Sequence, residues 1–114
     1  MVDIDTVNGE ATVETIRREG GDAIFVRADV SKSSDVDALF TPTSRIKGVL
    51  DILYNNAAVR LHGRDSRAHE LREEIWDRTH STNLRGVWLC SKYAIPILLK
   101  RGSGSIIHVP RPQD

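Results

Sequence analysis

Short apolar runs alternate with helical patterns along this chain. Ala23 to Val26, Val49 to Tyr54 and Ser105 to Val109 are brief, mostly apolar stretches bounded by turn residues, and Val2 to Ile4 reads as a strand stub. Runs of this kind suit strands whose two faces are both covered. Between them, residues 9 to 19 carry Ala11, Val13 and Ile16 among good helix formers, and Gly20-Gly21 stops that helix. Ser33 or Ser34 is placed to cap a second helix bearing Val36, Leu39 and Phe40. Pro42 falls inside that pattern and predicts a break or kink, because proline lacks the backbone donor and clashes with the preceding turn. Residues 59 to 69 are polar and irregular, and a short helix is expected around Glu70 to Arg78. The longest helix should run from about Asn83 to Lys100. There Leu84, Val87, Trp88, Ser91, Ile95 and Leu98 recur at spacings of three and four and form the expected packing stripe. Gly102 and Gly104 end it, and Pro110-Arg111-Pro112 stops the last strand.

Strands alternating with helices predict right-handed βαβ units and a parallel sheet. Ligands of such sheets bind beyond the carboxyl ends of the strands. Asp3, Asp29 and the pair Asn55-Asn56 all fall at such ends, which makes them the candidate binding residues. Each has a plainer reading as well. Asp3 can be a solvated charge, Asp29 can cap the following turn with Ser31 and Ser33, and the two asparagines can be turn formers.

Composition narrows the partners. A chain of 114 residues allows one domain at most. Sixteen basic and sixteen acidic residues cancel without clustering, which argues against nucleic acid or an anionic membrane as partner. The apolar stretches are too short to span a bilayer. Cys90 is the single cysteine, so no disulfide framework is expected, and a reducing cytoplasm is the default location. The four histidines show no metal-ligand spacing, and no metal site is expected. Trp88 and Cys90 are expected to be packing residues, and Arg60, Arg64 and Arg67 a solvated loop face.

Three segments taken together carry more. Ala28-Asp29-Val30 closes one apolar run, Asn55-Asn56-Ala57-Ala58 closes the next, and Ser81-Thr82-Asn83-Leu84-Arg85-Gly86 opens the long helix. In this order they resemble the central part of a short-chain dehydrogenase/reductase, over Val2 to Val109. The resemblance implies an α/β fold: a partial Rossmann-type parallel sheet flanked by helices, an incomplete doubly wound domain over residues 1–114. It implies that Asp3, with Asp5 as a nearby competitor, accepts hydrogen bonds from the adenosine ribose and favours NAD over NADP. It places Asp29 and Val30 at the adenine, and Asn55, Asn56, Ala57 and Ala58 along the cofactor, Asn56 largely through its backbone. Ala58 stands where the family carries glycine. Asn83 matches the catalytic asparagine, which holds a proton-relay water through its backbone carbonyl.

The departures from the family pattern shape the functional expectation. The glycine-rich turn that binds the pyrophosphate belongs to a first βα unit that this sequence lacks. The serine pair expected after the fifth strand reads Pro110-Arg111. A Tyr-x-x-x-Lys motif is absent, and Lys92-Tyr93 are adjacent rather than one helical turn apart. The sequence therefore resembles a piece of a NAD(P)-dependent oxidoreductase that exchanges hydride with a small alcohol or carbonyl substrate, and the chain alone is expected to be inactive. The alternative is a non-catalytic nucleotide-binding or dimerisation remnant. The family also implies a homo-oligomer built through helix 83–100.

Overall fold

The computed structural model describes residues 1–41, 48–61 and 63–110. Strand β1 (Val2–Asp3) leads into helix α1 (Thr6–Arg18), which returns to β2 (Val26–Arg27). Helix α2 (Ser33–Phe40) follows, then β3 (Ile52–Asn55) and α3 (Glu73–His80). A π turn over Ser81–Arg85 joins α3 to the long helix α4 (Gly86–Arg101), and β4 (Ser105–His108) closes the described chain. Every strand pairing is parallel, as the βαβ order requires.

The strands form two pairs rather than one sheet. β1 pairs with β2, in register Val2 to Val26, and β3 pairs with β4 from Ile52 with Ser105 to Asn55 with His108. Among the described residues no ladder joins the pairs. The family resemblance puts the strand over 49–54 centrally, beside a slot left empty or closed up where the first strand would lie; among the described residues β3 ladders with β4 alone and its other edge has no strand partner. The strands are also shorter than the apolar runs, because residues 23–25 and 49–51 find no regular partner ladder. The expected break at Pro42 lies outside the described residues.

Helix α2 links the halves through the core. Val36 is fully buried against Leu89 and Cys90 of α4, with Val30, Phe40, Leu53 and Tyr93 packed around them. The expected serine cap of α2 is not formed. Lys32 is the cap residue and makes no side-chain cap bond, while the Ser33 hydroxyl lies 3.3 Å from that of Tyr93.

The packing stripe proposed for the long helix is corrected by the structure. The face that α4 buries is Gly86, Leu89, Cys90 and Ala94, spaced three and four apart. Gly86, Cys90 and Ala94 are small and let the helix approach its neighbours closely, while Leu89 fills the core against Val36. Leu84, Trp88, Ile95 and Leu99 instead stand out on the exposed face. The buried face is thus turned from the expected stripe toward Leu89 and the small residues; of that stripe Val87, Ser91 and Leu98 are half-buried, and Trp88 is exposed rather than a packing residue. At the other end, Gly102 takes a left-handed φ of 90° and its N–H reaches the Leu98 and Leu99 carbonyls, closing the helix. Arg101 then pairs with Asp51 and binds the Leu50 carbonyl, tying the end of α4 to the start of β3.

Leu89 is 1% exposed and Leu99 is 75% exposed. Leu89→Ala is expected to cost about 2–5 kcal/mol of folding stability, and Leu99→Ala less than about 0.5 kcal/mol. Chemical denaturation of the two variants measures the contrast.

Candidate functional site

The carboxyl ends of the strands carry the candidate residues, and each is held by a local device. Asp3 ends β1, and its backbone carbonyl accepts from the Ala28 N–H at 3.1 Å. Its Oδ1 accepts from the Asp5 N–H at 3.0 Å. Asp5, the competitor for the ribose, caps α1: its carboxylate accepts from the Asn8 backbone N–H at 3.0 Å and from Asn8 Nδ2 at 2.7 Å. Those two bonds hold the Asp5 carboxyl below its usual range. A carboxylate seated on the first turn of α1 also occupies the place where an anion would otherwise dock. The geometry thus separates the two aspartates, one as a helix cap and one at the strand end.

Asp29 follows β2 and forms an Asx turn. Its Oδ1 accepts from the Ser31 N–H at 3.0 Å and from the Ser31 hydroxyl at 2.6 Å. Its own N–H donates to Asp35 Oδ2 of α2 at 2.9 Å. Partial burial works against its charge. The Ser31 hydroxyl and backbone bonds, helped by the positive charges of Lys32 and Arg27, outweigh that and hold the carboxyl low. The plainer reading of Asp29 as a turn cap is therefore part of the structure, and the adenine role rests on position alone. Val30 packs into the core and against Gly86, where an added Cβ would lie 2.8 Å from Val30 Cγ2.

Asn55 is buried at the end of β3, with its Nδ2 3.2 Å from Nδ1 of His108. Asn56 and Ala57 are exposed and Ala58 is half-buried. The next residue, Val59, is gripped by Asn83 from the π turn: Asn83 Oδ1 accepts from the Val59 N–H at 2.7 Å, and Nδ2 donates to the Val59 carbonyl at 3.0 Å. Two residues on, Arg85 Nη1 donates to the Ser31 carbonyl at 3.2 Å. The segment 83–86 thus contacts the loop after β2 and the loop after β3 at once. Sequence reasoning assigned Asn83 but missed Arg85, Gly86 and Val59. The only signal available for them was the compact run Asn-Leu-Arg-Gly itself.

Tyr93 and Cys90 serve packing. The Tyr93 hydroxyl neighbours Ser33, and burial pushes the Cys90 thiol up and keeps it uncharged. Among the described residues no group of three or more acidic, histidine or cysteine side chains is placed to hold a metal, and no helix is long and apolar enough to cross a membrane. An open groove of about 610 Å³ lies along α3, the π turn and α4, lined by Asp77, His80, Ser81, Leu84, Arg85 and Trp88. None of the strand-end candidates lines it.

Comparison with known proteins fixes the family. Residues 1–110 match the family model described as enoyl-(acyl carrier protein) reductase. An uncharacterized oxidoreductase of Bacillus subtilis, YxbG, is 42% identical over 106 residues, which are 93% of this chain and 38% of that protein. The 3-oxoacyl-(acyl-carrier-protein) reductase FabG of Staphylococcus aureus is 36% identical over 100 residues, 88% of this chain and 39% of that one. A crystal structure of a 3-ketoacyl-ACP reductase from Sinorhizobium meliloti superposes with a TM-score of 0.83 at 30% identity, covering 94% of this chain and 41% of the other. One from Burkholderia xenovorans, described as a short-chain dehydrogenase/reductase, gives 0.84 at 30% identity, with 94% and 40% covered. The chain belongs to the short-chain dehydrogenase/reductase family. It spans about two-fifths of the length of these relatives.

Asn83→Ala removes both bonds to Val59 and is expected to destabilise the chain by about 1–3 kcal/mol, with faster hydrogen exchange at the Val59 amide. Asp29 predicts a pH effect. Its folded-state pKa lies below the unfolded one, so its contribution is full above the unfolded value and is lost as pH falls through the folded value. Asp29→Ala should therefore flatten the loss of stability below about pH 4, measured by denaturation across pH.

Proposed function

We propose that this chain carries the adenosine-side half of the nucleotide site of a NAD(P)-dependent oxidoreductase domain, together with the asparagine of its proton relay. Hydride exchange between the cofactor and a small alcohol or carbonyl is the chemistry of that whole domain. The observation that carries this reading is the division of labour at β1. Asp5 is consumed as the α1 cap, while Asp3 stands at the end of a parallel strand, hydrogen-bonded across to the strand that leads into Asp29 and Val30.

The residues fit the adenosine end. The Asp3 carboxylate would accept from two ribose hydroxyls and repel a 2′-phosphate, favouring NAD over NADP. Asp29 and Val30 would flank the adenine. Asn55, Asn56, Ala57 and Ala58 would run beside the cofactor, with Asn56 and Ala57 presented to solvent and the loop root fixed through Val59. When bound, the nicotinamide ring supplies the hydride acceptor or donor. Asn83 would act through its backbone, since its side chain is committed to Val59. It lies in a π turn, where carbonyls depart from the regular ladder and gain freedom to bind water.

Turnover by the 114-residue chain alone is not part of this reading. Proton exchange with substrate needs an ionisable group beside the reacting oxygen, commonly worth about 10²–10⁴-fold. Tyr93 is committed beside Ser33, and Asn83 does not ionise. The partial nucleotide-binding domain over 1–114 and a cytoplasmic location complete the proposal. A second reading, dimerisation through α4, is favoured by the exposed row Leu84, Trp88, Ile95 and Leu99 beside the groove.

The test uses the chain as it exists. Titration with 5′-AMP followed by NMR should shift Asp3, Asp29 and Val30, with weaker effects from adenosine 2′,5′-bisphosphate. Asp3→Ala should remove the difference between the two. Assays with NAD or NADP and a panel of alcohols and ketones should give the background rate. Stronger binding of the bisphosphate, or protein-dependent turnover, would overturn the assignment. Sedimentation of wild type against Trp88→Glu separates the dimerisation reading from nucleotide binding.

A further inference from the structure

The loop after β2 is shaped from within but placed from outside. Within it, the Asp29 carboxylate accepts from the Ser31 N–H and hydroxyl, and the Lys32 N–H donates to the Asp29 carbonyl at 3.0 Å. These bonds close the turn without fixing where it stands relative to the loop after β3. Two contacts from the segment that opens α4 do that. Arg85 Nη1 donates to the Ser31 carbonyl at 3.2 Å. The roles are fixed, because a guanidinium only donates and a carbonyl only accepts. One residue on, a Cβ at the buried Gly86 would lie 2.8 Å from Val30 Cγ2 and 3.3 Å from both Val30 Cβ and the Val30 carbonyl oxygen. Valine is stiff at χ1 and the carbonyl is backbone, so neither gives way unless the turn moves. Gly86 has an ordinary helical φ of −60°, so glycine serves here for space alone.

We propose that Arg85 and Gly86 are positioning residues for recognition of the base: they seat Asp29 and Val30 without touching the nucleotide. The proposal rests on the nucleotide site proposed for this chain. Each residue acts through one step. Arg85 holds Ser31, and Ser31 is bonded twice to the Asp29 carboxylate, so a displaced Ser31 takes that carboxylate with it. Gly86 admits Val30 to its place against the helix. The sugar end is held by other means, since Asp3 is bonded to Asp5 and Ala28. Base and sugar are thus served by different parts of the chain, and a change at the head of α4 reaches the base alone.

NMR titration of the whole chain with 5′-AMP and with ribose 5-phosphate, which lacks the base, tests this. Arg85→Met removes the donor at an exposed position and keeps the length of the side chain. It should weaken 5′-AMP by about two- to tenfold and leave ribose 5-phosphate unchanged, with the Val59 and Leu89 signals unmoved. Gly86→Ala should weaken 5′-AMP in the same sense and shift Val30. Unchanged 5′-AMP affinity in Arg85→Met would overturn the positioning role alone. So would an equal loss for both ligands, which marks lost attraction between the guanidinium charge and the phosphate, or a loss accompanied by moved Val59 and Leu89 signals, which marks a general role in the fold. Failure of the unmodified chain to bind 5′-AMP would overturn the nucleotide site, and this proposal with it.

Discussion

Two strand pairs that share no ladder among the described residues need something else to fix their carboxyl ends relative to each other, and that task falls to three residues where the π turn meets α4. Asn83 clamps the backbone after β3 through two hydrogen bonds, Arg85 holds the Ser31 carbonyl after β2, and Gly86 lets Val30 approach to contact distance. The buried cluster of Val36, Leu89 and Cys90 continues the same junction inward. Each hydrogen bond contributes only about 1 kcal/mol. Their value lies in geometry, since they set where the loops carrying Asp29 and Asn56 stand relative to one another. The π turn belongs to this junction. It allows α3 and α4 to follow each other without a loop while the Asn83 side chain turns to the β3 loop.

Much of the architecture was legible in the sequence. Strand-end residues Asp3, Asp29 and Asn55 sit where the apolar runs end, and the Gly-Gly stop and the long helix were placed within a few residues. The failures share a physical cause. Periodicity says which residues lie on one helix face, but not whether the bulky or the small members of the pattern face the core. In α4 close approach selected Gly86, Cys90 and Ala94. Nor does periodicity reveal a π turn, which keeps helical composition while shifting the register by one residue. Ser33 looked like a cap because serine favours that position; the helix began one residue early, and the hydroxyl went to Tyr93 instead. Asp3 and Asp5 are two residues apart in an acidic start, and only the Asn8 bonds tell the cap from the strand-end carboxylate.

The site has the same economy. One carboxylate organises a helix, a second organises an Asx turn, and the third is left at the strand end with a single backbone bond. A carboxylate whose acceptor capacity is mostly unspent suits recognition by hydroxyl donors. In the proposed nucleotide site the exposed Asn56 and Ala57 after β3 would give the ligand a backbone to lie against without a large side chain in the way.

Among the described residues β1 and β3 each have one edge without a strand partner, and this bears on how the chain behaves in company. A parallel pair with one free side offers a row of unused amide and carbonyl groups, which is a template for further strand addition. Ile52 and Tyr54 on the exposed face of β3 add apolar surface next to that row. Solubility on expression is then set less by net charge, which is zero, than by how quickly those edges find a partner: a strand that completes the sheet, or a neighbouring molecule that begins an aggregate.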